Sequence, residues 1–315
     1  MQLSPAVEPL ANRRSRDIQA NTIAVLGPAG TNSHHAGAVV APYLDRVSPP
    51  APLFAEDMPR VIEAVVNGYA RFGVLPAQNG KTGLVDHLVD FWLGKPDDRQ
   101  LILSGDMSEA WADRVQTVAA VDLPVQHHLM ARAGTDLRKI RTVISHPQAL
   151  AQCRTTLARL GLTAVEASST AEAARMVAAQ EVDEFTAALA NELAAIVYGL
   201  TILYQGVQDA KGNTTRLHIL GSCPTYPTED DLTSLIVWLP NEPCALKHII
   251  DPISQRGLNM RSIHDIALGE LDEVAIFLTI NGHMCDPLLV AALQQIANRA
   301  DKLVMLGSYP TPIHP

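Results

Sequence analysis

At 315 residues, with 47% hydrophobic and 18% charged side chains, the chain is long enough for two or three domains with real cores and too apolar to be disordered. A formal net charge of −9 excludes the basic footprint that phosphate contacts demand, so nucleic acid is not an expected partner. No run approaches the roughly 18 apolar residues of a membrane span. Arg13, Arg14 and Arg16 are followed by no apolar signal core, so residues 1–20 read as a flexible tail.

Cys153, Cys223, Cys244 and Cys285 stand far apart, a spacing that suits neither a disulfide framework nor a zinc motif and fits a reducing cytoplasm. No metal or organic cofactor is expected. The pairs His34-His35 and His127-His128 read as surface or core histidines, because neighbouring side chains point to different faces of an element.

In chain order, Thr22 to Leu26 is an apolar strand that ends in Gly-Pro, followed by a helix from Thr31 to Val40. Met58 to Tyr69 has helical spacing, and Phe72 to Pro76 reads as the next strand. A second α/β unit begins near Gln100 to Leu103. It continues through Val125 to Ala131, a strand Thr142 to Ile144, a helix from about Pro147 to Leu160, and a strand at Ala164-Val165. A helix Thr170 to Gln180, a strand Ala187 to Ala190, and Ile202-Leu203 complete it. This alternation predicts mostly parallel sheets whose functional loops lie at the carboxyl ends of strands. The lobes are placed at about 21–100 plus 201–222, and 101–200, with a ligand cleft between them.

Residues 223–231 turn polar and Pro-rich, which marks a linker. Beyond it come a strand Ser234 to Leu239, a helix Ala245 to Arg256, strands Met260 to Ile266 and Val274 to Ile280, a helix Pro287 to Ala300 and a strand Leu303 to Leu306. The order β-α-β-β-α-β over 232–310 is the ferredoxin-like arrangement.

Five polar blocks fall at element ends: Gly27 to Ser33, Pro76 to Gly80, Ser145 to Gln148, Ser168 to Thr170, and Asn213 to Arg216. The last sets two hydroxyls beside a cation, a combination suited to holding an anion and protonating a leaving group. Thr31, Ser33, Ser145, Ser169 and Thr170 sit at loop–helix junctions, where free N–H groups favour anions. They serve equally well as helix caps.

Taken in order over residues 22–308, these blocks resemble the prephenate dehydratase family. Gly73 to Val85, Ser145 to Cys153, Ser168 to Ala173 and Asn213 to Leu217 resemble its successive motifs, and the C-terminal unit resembles an ACT domain. The resemblance implies a two-lobed, periplasmic-binding-protein-like catalytic domain, a homodimer or homotetramer, and prephenate as the substrate. It implies Thr215 as donor to the departing ring oxygen, with Arg216 fixing it or the local charge. Asn79 and Gln152 would orient substrate. His146 reads as a cap.

Departures qualify the pattern. Gln78 stands where Glu is usual, Gly80 for Ser, Asn32 for an aromatic, Leu217 for Phe, and Asn191 where Ser is typical. Asn191 is also similar to the non-aromatising prephenate decarboxylases, which keep the oxygen; retention of Thr215 favours dehydration. A binding protein whose catalysis has decayed is the second alternative. In the ACT unit, Asn241, Cys244, Ala245, Leu246, His264 and Asp265 occupy the regulatory positions, and their departures argue against phenylalanine feedback.

Overall fold

A computed structural model describes residues 21–80, 83–85, 115–268 and 274–315. The N-terminal tail and the element at Gln100 to Leu103 lie outside the described residues. Strand β1 (Thr22–Leu26) is apolar and buried along most of its length, as a central parallel strand must be. It pairs in parallel with β2 (Ala51–Ala55) and β3 (Phe72–Asn79). The crossovers are α1 (Asn32–Leu44), capped by Thr31, and α2 (Met58–Val66), capped by Asp57. Two antiparallel strands extend this sheet, β11 (Thr214–Gly221) beside β3 and β5 (Gln116–Pro124) beside β11. The short β4 (Gly83–Leu84) pairs with β3.

The second sheet has the order β10-β6-β9-β7-β8. Its strands are β6 (His128–Ala131), β7 (Thr142–Ser145), β8 (Thr163–Glu166), β9 (Thr186–Ala190) and β10 (Thr201–Tyr204). Around it pack α3 (Pro147–Gln152), α4 (Arg154–Arg159), α5 (Thr170–Ala178) and α6 (Glu192–Tyr198).

Pairing redraws the expected lobes. Residues 116–124 belong to the first sheet, and 201–204 to the second, because β5 bonds to β11 and β10 bonds to β6. The chain therefore passes between lobes at 125–127 and 205–213. The helix expected over 147–160 is two helices, broken at Cys153. Asp209 holds the break: its carboxylate accepts from the N–H groups of Thr155 (2.8 Å) and Thr156 (2.9 Å) at the start of α4.

The C-terminal unit runs β12 (Asp231–Leu239), α7 (Ala245–Ser254), β13 (Met260–Ala267), β14 (Val274–Asn281), α8 (Pro287–Ala297) and β15 (Lys302–Pro310). Its antiparallel sheet has the order β13-β14-β12-β15, the expected βαββαβ arrangement. β12 alternates, and both of its faces are covered. Leu235 and Val237 pack with Ile249, Ile253 and Leu289 of the helices. Ile236, Ile266 and Phe277 pack instead with Val61, Val65 and Leu75 of the first lobe.

β15 runs past Leu306 because it pairs with β12 as far as Asp231↔Pro310. At Gly307 (φ +131°) a Cβ would stand 2.4 Å from the Thr117 carbonyl oxygen, so only glycine lets β15 lie against β5. The chain then returns to the first sheet. Ile313 N–H donates to Ala120 O and Ile313 O accepts from Asp122 N–H, both at 2.9 Å. A buried polar chain crosses the same interface: the His218 ring reaches Thr117 (3.3 Å) and Tyr309 (3.5 Å), and the Tyr309 hydroxyl meets Ser234 at 2.7 Å.

Candidate active site

The cleft between the lobes holds a cavity of about 330 Å³. From the first lobe it is lined by Thr31, Asn32, Asn79 and Thr215, and from the crossing segment by Val125 and His127. The second lobe adds His146, Gln148 and Gln152, together with Ser168 to Thr170. Three helices, α1, α3 and α5, begin at this wall, so their N-terminal dipoles converge on it. Its described lining contains no lysine, arginine, aspartate or glutamate. An anion held there would be held by hydroxyl, amide and backbone N–H donors.

Thr215 and Asn79 are direct cross-strand partners on β11 and β3. The Asn79 Nδ2 donates to Thr215 Oγ1 at 2.9 Å. With that oxygen accepting, the hydroxyl hydrogen is left to donate into the cavity. Thr31 donates its hydroxyl to Leu26 O (2.6 Å) and caps α1 by accepting from His34 N–H. Ser169 caps α5 by accepting from Glu172 N–H at 2.9 Å. Both therefore cap and line at once, and Thr170 lines the wall one residue further on.

Gln152 also lines the cavity, and its Oε1 lies 2.9 Å from His127 Nε2. His127, expected as a surface or core histidine, lines the cavity instead. Its backbone is pinned to the second crossing, where Val207 N–H donates to His127 O (2.8 Å) and His127 N–H to Gln208 Oε1 (3.1 Å). Burial holds its pKa below the ordinary value, against the opposing pull of the Gln152 bond, so the ring is neutral at pH 7. The signal available in sequence was a histidine at the junction between two strands of different sheets, which is visible only once pairing is known. His146 is the cap it was read as: its Nδ1 accepts from Gln148 N–H at 3.2 Å.

Four of the expected residues are placed elsewhere. Ser145 is fully buried and donates its hydroxyl to Leu189 O (2.6 Å), tying β7 to β9. Ser33 is buried in the first turn of α1 and is absent from the lining. Arg216 follows Thr215 on a strand and so points to the opposite face. There its guanidinium donates Nε–H to Asp122 Oδ1 (2.7 Å) and Nη2–H to Asp122 Oδ2 (2.8 Å). It positions β11 and does not line the cavity. Asn191 caps α6 and reaches across the cleft to Asn32.

The regulatory positions also separate. Cys244 sits at the start of α7 in the left-handed region (φ +66°), next to buried Ala245 and exposed Asn241 and Leu246. His264 and Asp265 alternate on β13. Asp265 is exposed, while His264 Nε2 approaches Gln78 Nε2 at 3.0 Å and is thereby engaged with the catalytic lobe. Among the described residues, no cluster of three metal-ligating side chains occurs.

Two α/β lobes facing each other across a donor-lined cleft, with a βαββαβ unit packed on one lobe, define a two-lobed small-molecule-binding scaffold. The family model "Prephenate dehydratase" matches residues 23–225, and the chain belongs to the prephenate dehydratase family. A bifunctional chorismate mutase/prephenate dehydratase of Stutzerimonas stutzeri is 33% identical over 292 residues, covering 91% of this chain and 73% of that protein. The solved prephenate dehydratase of Arthrobacter aurescens in complex with L-Phe superposes with a TM-score of 0.76 at 25% identity, over 92% of this chain and 89% of that one. A structure described as GqqA, a quorum-quenching acylase, superposes with a TM-score of 0.73 at 27% identity, over 92% and 98%.

Proposed function

We propose that this protein converts prephenate to phenylpyruvate. The carrying observation is the Asn79–Thr215 bond, which engages the Thr215 oxygen as acceptor and leaves its hydroxyl hydrogen to donate, on the wall of a cavity lined by helix N-termini and, among the described residues, by no lysine or arginine. Prephenate bears two carboxylates and a ring hydroxyl opposite a quaternary carbon. As the bond from that carbon to its carboxylate breaks, the electron pair enters the ring and expels the hydroxyl, which leaves as water after gaining a proton. The dianion and one proton yield phenylpyruvate, CO2 and water. Aromatisation supplies much of the driving force. The protein holds the anions and stabilises charge on the departing oxygen. Thr215 does this as a positioned hydrogen-bond donor, since its hydroxyl is too weak an acid to release its proton outright.

The C-terminal unit acts as an ACT-type module that joins two copies of the chain in the cytoplasm. β13 is the edge strand of its sheet and exposes Ile263, features that suit pairing with a second copy. Phenylalanine is not expected as its effector, because His264-Asp265-Ile266-Ala267 stands where the family has Glu-Ser-Arg-Pro, so Ile266 takes the place of the arginine. Light scattering reports the oligomer, and an unchanged rate in saturating phenylalanine is the expected result. The activity itself is tested by incubating the protein with prephenate and following phenylpyruvate absorbance and product mass. A non-aromatic keto acid that retains the ring oxygen, or unchanged prephenate, would overturn the assignment.

A further inference from the structure

Two of the residues that depart from the family pattern, Asn32 in the first lobe and Asn191 in the second, touch each other. Asn191 Oδ1 accepts from Ala194 N–H at 2.9 Å, which fixes the amide so that its Nδ2 points away from α6. That Nδ2 donates to Asn32 Oδ1 at 2.8 Å, across the cleft. The orientation of the second amide follows from the first: with Oδ1 engaged, Asn32 keeps both Nδ2 hydrogens for the cavity it lines. The surrounding contact is rigid. Tyr198 donates its hydroxyl to Ala29 O at 2.8 Å, and a Cβ on Gly30 would stand 3.0 Å from Ala194 Cα, so glycine is what admits α6 so close.

We propose that Asn32 is a specificity-determining residue, whose Nδ2 donates to a carboxylate oxygen of the bound substrate, and that Asn191 is the positioning residue that keeps it a donor. This rests on the dicarboxylate substrate assigned above. An amide can face a ligand with either end, and only the N–H end suits an anion. The Ala194–Asn191–Asn32 relay sets that choice before the ligand arrives. It also joins the N-termini of α1 and α6, so that the donor is available when the two lobes are together.

The test is a set of single variants assayed with prephenate, each checked for folding by circular dichroism and thermal unfolding. Asn32→Ala removes the donor and should raise KM about tenfold, the cost of one hydrogen bond to a charged group, with kcat within about threefold. Asn191→Asp keeps an acceptor for Ala194 N–H but offers Asn32 only oxygen. The Asn32 amide then turns end for end, and KM should rise well beyond the Asn32→Ala value. Asn191→Ala frees the amide without inverting it, so its KM should fall between wild type and Asn32→Ala. Prephenate binding to the same variants in a Thr215→Ala background, measured calorimetrically, should rank them identically.

Wild-type KM in Asn32→Ala, or equal KM in Asn191→Ala and Asn191→Asp, overturns the proposal. Should Asn191→Asp not fold, the exposed Asn32→Asp carries the same prediction, an acceptor and a charge where a donor stood. Failure of wild type to form phenylpyruvate overturns the activity itself, a result separate from any change in KM.

Discussion

Replacing Asp122 with alanine isolates the Arg216 guanidinium. The pair is bidentate at 2.7 and 2.8 Å, and the two side chains are 21% and 10% exposed. Removing one partner of a buried pair costs about 3–5 kcal/mol, because the remaining charge stays desolvated. The residual exposure of Arg216 places Asp122→Ala at the lower end, about 3 kcal/mol. Replacing both partners with apolar groups, as in Asp122→Leu with Arg216→Met, should return stability to within about 1 kcal/mol of wild type. Urea unfolding followed by circular dichroism measures all the terms of the cycle. Since Thr215 precedes Arg216 on β11, the single variant should also lose rate. A loss below about 1 kcal/mol in Asp122→Ala, or strict additivity of the two single variants, would refute the view that this pair holds the strand.

Thr215→Ala should lower kcat by about 10²-fold or more, while Asn79→Ala should leave part of that loss; a Thr215→Ala enzyme at full rate removes the proposed role for the hydroxyl. His218 is fully buried, and burial pushes its pKa down to about 3. The unfolded chain binds that proton near pH 6.5 while the folded protein does not, so stability is complete above about pH 6.5 and falls with acidification by about 1.4 kcal/mol per unit. Urea midpoints between pH 7.5 and 5 should show this slope, and His218→Asn should flatten it. Gly307→Ala forces a Cβ onto the Thr117 carbonyl and should destabilise by about 2 kcal/mol or more; wild-type unfolding would contradict the close approach of β15 to β5.

Most elements were legible because their signals are local. β1, β3, β9 and β12 are apolar runs bounded by turns, and α2 and α5 carry helical spacing behind Asp and Ser caps. What escaped depends on pairing between distant residues. Gln116 to Pro124 is given no element until it is set against β11, and with it go the lobe boundaries and the partner of Arg216. Strand alternation alone could have separated Thr215 from Arg216, since neighbours on a strand face opposite sides. Ser145 shows the converse: a hydroxyl at a helix start invites a ligand role, yet Leu189 O lies within its reach from another strand. His127 reads as an ordinary surface or core histidine, since no local pattern reveals that its segment crosses between lobes.

The route of the chain around the C-terminal unit has a mechanical consequence. The unit leaves the first sheet from β11 and returns to it when Ile313 bonds to β5, so both its ends are fastened to neighbouring strands. A body held in this way transmits any displacement as sliding of one strand along the other. Thr215 rides on the first strand and Asp122 on the second, and the Arg216 fork adds a side-chain tie to the backbone ladder that resists their slip. Force applied at the far end of the molecule would thus arrive at the Thr215 hydroxyl as shear.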